Sequence, residues 1–221
     1  VSKEQEWIER ASTFYAGLVA DNCDKVGYRN QILPAKFRPL DPSSVVVGFA
    51  YTVQCEIVDI VPADAEEFYK TQFEAIDNMV PDAVAVVAGA EHPTRAFWGE
   101  LMSTRVRACG GRGVVIEGTT RDIPMINEMK FPCFITGINP GDSAGGVNSI
   151  AYQVPIEIGG VTIHPGDFVF GDVDGVVIIP QAVIEEVITL AEEKRSKENL
   201  ARDALREGMS VKDMYKKYKV I

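Results

Sequence analysis

An α/β fold on a largely parallel sheet is what this chain of 221 residues predicts, and three observations carry the expectation. Short apolar or β-branched runs, AVAVVAG from Ala83, VVIEG from Val114 and FPCFITG from Phe131, alternate with segments of helical period. That β-α-β-α-β rhythm belongs to parallel strands joined through helices. AVAVVAG holds no polar side chain, so it suits a strand buried on both faces. At this length roughly 70% of the unfolded surface can be buried, enough for one compact domain over 1–221 without staples.

The elements follow in order. Residues 3–20 carry Trp7, Ile8, Phe14, Leu18 and Val19 at helical spacing and predict one helix. A proline-containing loop, LPAKFRPLDPSS, leads to the β-branched run VVVGFAYTVQCEI, a strand. DAEEFYKTQFEAIDNM sets Phe68, Phe73, Ile76 and Met79 on one helical face and ends before Pro81. The segments AFWGELMSTRVRACGG and IPMINEMK are the helices between the three short strands. NPGDSAGGVN reads as a long turn. From about residue 154, PIEIGGVTIHPGDFVFGDVDGVVIIP holds three short runs broken by Gly-Gly, Pro-Gly-Asp and Asp-Gly, the punctuation of hairpins. A long polar helix spans 181–206, before Gly208, and a short tail closes the sequence.

Composition excludes several classes of function. The formal net charge is −10, which repels a phosphate backbone and argues against nucleic acid as a partner. The same field disfavours an anionic small molecule unless a local cation holds it. No apolar run approaches the ~18–20 residues that span a bilayer. VSKEQEWIERAS has no apolar h-region, so neither a signal peptide nor a transit sequence is expected, and a cytoplasmic location is. Cys23, Cys55, Cys109 and Cys133 form no CxxC pair, so they are expected as buried small hydrophobes in a reduced compartment, not as zinc ligands.

Chemistry gathers at Gly99-Glu100 and, twenty residues on, at Arg121-Asp122. A helix beginning near Glu100 leaves unpaired N–H groups at the positive end of its dipole, so the amides of Leu101 and Met102 suit a carboxylate. Gly99 lets a ligand approach the backbone. Arg121-Asp122 follows VVIEG, at the carboxyl edge of the sheet where ligands bind in open α/β folds. Arginine offers a planar fork to a carboxylate, and aspartate a hard oxygen to Mg²⁺ or Mn²⁺. Each residue also has a bland explanation. Glu100 is a good first-turn residue, Asp122 a good N-cap for IPMINEMK, and Arg121 a partner for a surface acid.

The other candidates carry less. Asp172-Val173-Asp174-Gly175 lacks the third ligand and distal glutamate of a calcium loop and reads as turn chemistry. His92 sits in a loop, His164 in a turn, and KRSK at 194–197 on the solvated face of the last helix. Ser143 has no GxSxG context, and no glycine run follows a strand as GxGxxG.

AFWGELMSTRVRACGGRGVVIEGTTRD, with HPGDFVFGDVDGVVIIP in order behind it, resembles the class II pyruvate aldolases that cleave 4-hydroxy-4-methyl-2-oxoglutarate and 4-carboxy-4-hydroxy-2-oxoadipate. The likeness covers roughly residues 80–206. It implies a single-domain αββαβ sandwich with a long C-terminal helix, of the type seen in the regulators of ribonuclease activity. It implies a trimeric ring or a dimer of trimers with sites between subunits, and a divalent cation, Mg²⁺ or Mn²⁺. By the resemblance, Asp122 binds the metal directly and Glu100 through water. Arg121 contacts the 2-oxo acid, and Gly99, Leu101 and Met102 hold its carboxylate. A neighbouring subunit's acid, Glu192, Glu193 or Glu198, joins them. Pyruvate release is the implied activity, with oxaloacetate decarboxylation beside it. The regulator of ribonuclease E activity shares the superfamily but binds protein without catalysis, and its pattern lacks an acid at the position of Glu100. A lyase for another 2-oxo acid is the remaining alternative.

Overall fold

A computed structural model describes residues 2–60 and 63–221. The N-terminal segment is two helices, α1 (Lys3–Ala11) and α2 (Ala16–Lys25), where one was expected. The break has a local cause. The Ser12 and Thr13 hydroxyls donate back to the carbonyls of Glu9 (2.7 Å) and Arg10 (3.0 Å), closing α1 with side-chain bonds that compete with its continuation. The new start at Ala16 is held from afar, its N–H donating to the Asp172 carboxylate at 2.8 Å.

The two-residue β1 (Arg38–Pro39) precedes the long β2 (Val46–Ile57). Three crossover units follow: α3 (Ala65–Asp77) into β3 (Ala83–Ala90), α4 (Glu100–Ala108) into β4 (Gly113–Thr120), and α5 (Ile123–Glu128) into β5 (Cys133–Ile138). β2, β3, β4 and β5 are mutually parallel, as the alternating pattern predicts. Within NPGDSAGGVN the turn ends early, since Val147 opens a strand, β6 (Val147–Tyr152), antiparallel to the far end of β2. The region from 154 holds four short strands: β7 (Ile156–Ile158), β8 (Val161–Ile163), β9 (Phe168–Asp172) and β10 (Gly175–Ile179). The pairs β7–β8 and β9–β10 are antiparallel hairpins. A 3-10 turn leads into α6 (Ile184–Arg206), and the tail is a further helix, α7 (Val211–Tyr218).

The main sheet runs β1-β5-β4-β3-β2-β9-β10, with β6 on β2. Burial on both faces of β3 matches its all-apolar sequence: Ala85 and Val87 pack with α3–α5, while Val84 and Val86 pack against the β7–β8 hairpin. β9 and β10 present Phe168, Phe170, Val177 and Ile179 to α1, α2 and α6. The result is a mixed α/β fold closed by a long C-terminal helix. Cys23, Cys55 and Cys133 are buried and all four thiols are free, with burial raising the Cys55 thiol to about 12. Among the described residues no helix is long and apolar enough to cross a membrane.

Candidate active site

Because β3, β4 and β5 are parallel neighbours, the loops after their carboxyl ends meet at one edge of the sheet. The loop leaving β3 is fastened to the end of β4. The Thr120 hydroxyl and the Arg121 N–H both donate to the Trp98 carbonyl at 3.0 Å, and Trp98 bridges Thr120 in parallel. The Trp98 indole donates to the Ser103 hydroxyl (2.9 Å), which donates to the Gly99 carbonyl (3.0 Å). The N-terminus of α4 is thereby pinned beside Arg121 and Asp122.

Asp122 stands at the N-cap position of α5, yet its side chain makes no capping bond there. Its backbone is left-handed (φ 61°), unusual for a residue with a side chain, and its Oδ2 accepts the Glu100 N–H at 3.2 Å. The carboxylate therefore caps α4 from across the site, where the sequence suggested a cap on IPMINEMK. Gly99 is explained by the same contact. Its backbone is extended, so no conformational freedom is being used, but a Cβ here would lie 2.5 Å from Asp122 Oδ2.

These residues wall a cavity of about 220 Å³. Gly99, Leu101, Met102, Arg121 and Asp122, all singled out in the sequence, line it together. Glu100 does not. Its carboxylate accepts the Thr104 hydroxyl at 2.6 Å, one turn along α4, so it stands beside the wall. Tyr69 and Phe73 of α3 and Asp142 and Ser143 of the loop after β5 also line it; of these the sequence raises only Ser143, as a nucleophile without context, and does not place Tyr69, Phe73 or Asp142 at a site. Arg121 lies between two acids, its Nη2 3.1 Å from Asp142 Oδ2 and its Nε 3.8 Å from Asp122 Oδ2. The Asp142 Oδ1 accepts the Tyr69 hydroxyl (2.5 Å) and the Ala144 N–H (2.9 Å). Burial acts to raise the Asp142 pKa, but the Ala144 and Tyr69 donors and the Arg121 charge hold it below the usual carboxylate range. Burial and the neighbouring Asp142 raise the Tyr69 phenol.

Among the described residues no three Asp, Glu, His or Cys side chains converge as a ligand set. Of the two carboxylates in the wall, Asp142 is paired with Arg121, which leaves Asp122, with Glu100 beside the wall, to fit an ion that keeps several waters, the habit of Mg²⁺. Of the three α6 acids, Glu192 is bound by Arg10 (2.8 Å) and Glu198 by Tyr15 and Lys194, while Glu193 is exposed. His92 accepts the Thr94 N–H within its own loop (3.1 Å), and His164 lies beside Asp167.

Residues 17–178, which include every wall residue, match the family model described as RraA-like: Aldolase/RraA. The chain belongs to the RraA-like family. One RraA-like relative is a protein of Halalkalibacterium halodurans provisionally named 4-hydroxy-4-methyl-2-oxoglutarate aldolase, 31% identical over 93% of this chain and 91% of its own. Protein DlpA of Legionella pneumophila is 27% identical over 90% of this chain, which spans only 32% of DlpA's length. Among solved structures, Streptomyces coelicolor RraAS2, described as an unusual member of the RNase ES inhibitor RraA protein family, superposes with a TM-score of 0.80. It is 25% identical, over 91% of this chain and 98% of that one. The RraA-like family thus includes proteins named for catalysis and proteins named for inhibition, and the cavity has to decide between them.

Proposed function

We propose that this RraA-like protein is a divalent-metal-dependent lyase that cleaves a 4-hydroxy-2-oxo acid and releases pyruvate. The observation that carries it is the pairing of Arg121 with Asp122 in the wall of one cavity, against the N-terminus of α4. An inhibitor that only docks on protein has no use for a guanidinium and a carboxylate turned together into a cavity. Asp122 directly and Glu100 through water would hold Mg²⁺ or Mn²⁺, which when bound would supply Lewis acidity at the substrate's oxo group.

The chain's own groups do the rest. The first-turn amides of Leu101 and Met102 have no acceptor within α4, so they take the substrate carboxylate. Arg121 faces the oxo oxygen. When the C3–C4 bond breaks, its electron pair moves onto C3 and the oxo oxygen gains charge as the enolate of pyruvate. The guanidinium, already in place, stabilises that oxygen without reorganising. The C4 hydroxyl gives up its proton and becomes the carbonyl of the second product. No histidine lines the cavity, so a water held by the carboxylates takes that proton and C3 is later protonated. Oxaloacetate gives the same enolate with CO₂ leaving, so decarboxylation is expected beside aldol cleavage.

Leu101 is 72% exposed and Phe73 43% exposed at this cavity in the single chain, which supports a working trimer or dimer of trimers with the site between subunits. Glu193 is then the α6 acid free to reach a neighbour. The likeness to RraAS2 favours a second reading, an inhibitor of a ribonuclease. Pyruvate release from 4-hydroxy-4-methyl-2-oxoglutarate, 4-carboxy-4-hydroxy-2-oxoadipate and oxaloacetate, with Mg²⁺ and after EDTA, separates the two. EDTA-sensitive release supports the lyase, and no release from any of the three favours the inhibitor.

A further inference from the structure

We infer that Asp142 is the positioning residue for Arg121, and that Tyr69 sets Asp142 in turn. The inference rests on the proposed role of Arg121 at the substrate. An arginine side chain is rich in rotamers, so a guanidinium that must wait at one spot needs an anchor. Asp122 is not that anchor, because its Oδ2 is 3.8 Å from Nε, beyond hydrogen-bond reach. Asp142 is, with Oδ2 3.1 Å from Nη2.

The orientation of Asp142 does not depend on Arg121. Its other oxygen is taken by the Tyr69 hydroxyl and the Ala144 N–H, so Oδ2 is aimed before the arginine arrives. Both supports are themselves held. Tyr69 packs between Phe68, edge-on at 5.1 Å, and Phe73, stacked at 5.6 Å. The loop carrying Asp142 is fastened by the Ala96 N–H to the Gly141 carbonyl (2.9 Å) and by the Gly141 N–H to Asn139 (2.8 Å). The contact is an ion pair on the Nη2 side of a guanidinium that also lines the cavity.

A carboxylate in the wall of an anion site repels the substrate. That cost is understandable only if the acid does something for the cation beside it, and the donor set on Asp142 keeps it ionised to do so. α3 and the loop after β5 thereby join the catalytic edge through one ion pair.

The test is a double-mutant cycle on the full chain with Mg²⁺, comparing wild type, Asp142→Asn, Arg121→Ala and the double variant. Two readouts are taken: pyruvate release, and calorimetric binding of oxalate as a planar mimic of the pyruvate enolate. Asp142→Asn is nearly isosteric, and alone it is expected to lower kcat/KM by about 10–100-fold and to weaken oxalate in parallel. In the Arg121→Ala background the same substitution is expected to change either readout less than about twofold, because its effect passes through the arginine. Tyr69→Phe, which leaves the loop untouched, is expected to cost a smaller part of the same loss. Equal losses in both backgrounds would show that Asp142 acts independently of Arg121 and overturn the inference. Wild-type protein that releases no pyruvate contradicts the lyase instead, and the inference then stands or falls on whether Asp142→Asn weakens oxalate.

Discussion

Two regions of this molecule are written in the same vocabulary of aspartates beside glycines, and their carboxylates are placed in opposite ways. In HPGDFVFGDVDG two of the three acids carry a backbone donor on each oxygen. Asp167 accepts the N–H groups of His164 (2.7 Å) and Gln181 (3.1 Å), one on each oxygen, and is 3% exposed. Asp172 accepts those of Ala16 (2.8 Å) and Asp174 (2.9 Å), again one on each. At the carboxyl edge of β4, Asp122 accepts a single N–H, from Glu100 on Oδ2, and faces a cavity beside a guanidinium. An acid whose two oxygens are both spent on backbone donors is a fastener, while an acid with capacity left over a cavity is available for chemistry.

Substitutions sharpen that contrast, from the largest effect to the smallest. Asp122→Ala is expected to lower pyruvate release by about 10³-fold or more, while the lost cap on α4 costs only about 1 kcal/mol in denaturant unfolding. Asp172→Ala is expected to reverse the pattern. Leaving the Ala16 and Asp174 donors unpaired costs about 2–4 kcal/mol of stability, and kcat/KM per folded molecule stays within about twofold. If Asp172→Ala proved the more damaging to turnover, the division of labour would be wrong. Gly99→Ala tests the site without touching an acid. Its Cβ displaces the Asp122 carboxylate, so kcat/KM is expected to fall about 10-fold with little change in the midpoint of unfolding.

The smallest effect belongs to a third kind of acid, on the surface. Glu185 is held near 2 by the Trp7 indole and then Arg10, below its ordinary 4.5. A depressed folded pKa means stability that is present above about pH 4.5 and is lost as pH falls towards 2. Glu185→Gln is expected to flatten that acid limb slightly in thermal unfolding from pH 5 to 2, leaving neutral stability almost unchanged because the pair is solvated.

The sequence was most legible where one physical cause dominates. AVAVVAG, VVIEG and FPCFITG are strands because each is a short run dominated by apolar and β-branched residues, and the parallel sheet follows from their alternation with helices. Arg121 and Asp122 were legible because a residue that follows a strand in such a sheet must stand at its carboxyl edge. The break at Ser12 and Thr13 was hidden by an apolar pattern that continues across it. β6 was hidden because its partner is the distant end of β2, joined across a bulge. Asp142 and Tyr69 were invisible for the same reason: what makes them part of the site is a hydrogen bond between elements 73 residues apart. Topology could have signalled Asp142, since β5 ends at the same edge as β4 and its loop has nowhere else to go.

Titration of Mn²⁺ into the protein with oxalate present tests the central claim most directly, comparing wild type with Asp122→Ala and Asp172→Ala. The account predicts one Mn²⁺ per chain for wild type and for folded Asp172→Ala, and loss of that binding in Asp122→Ala. Equal binding by Asp122→Ala would contradict it.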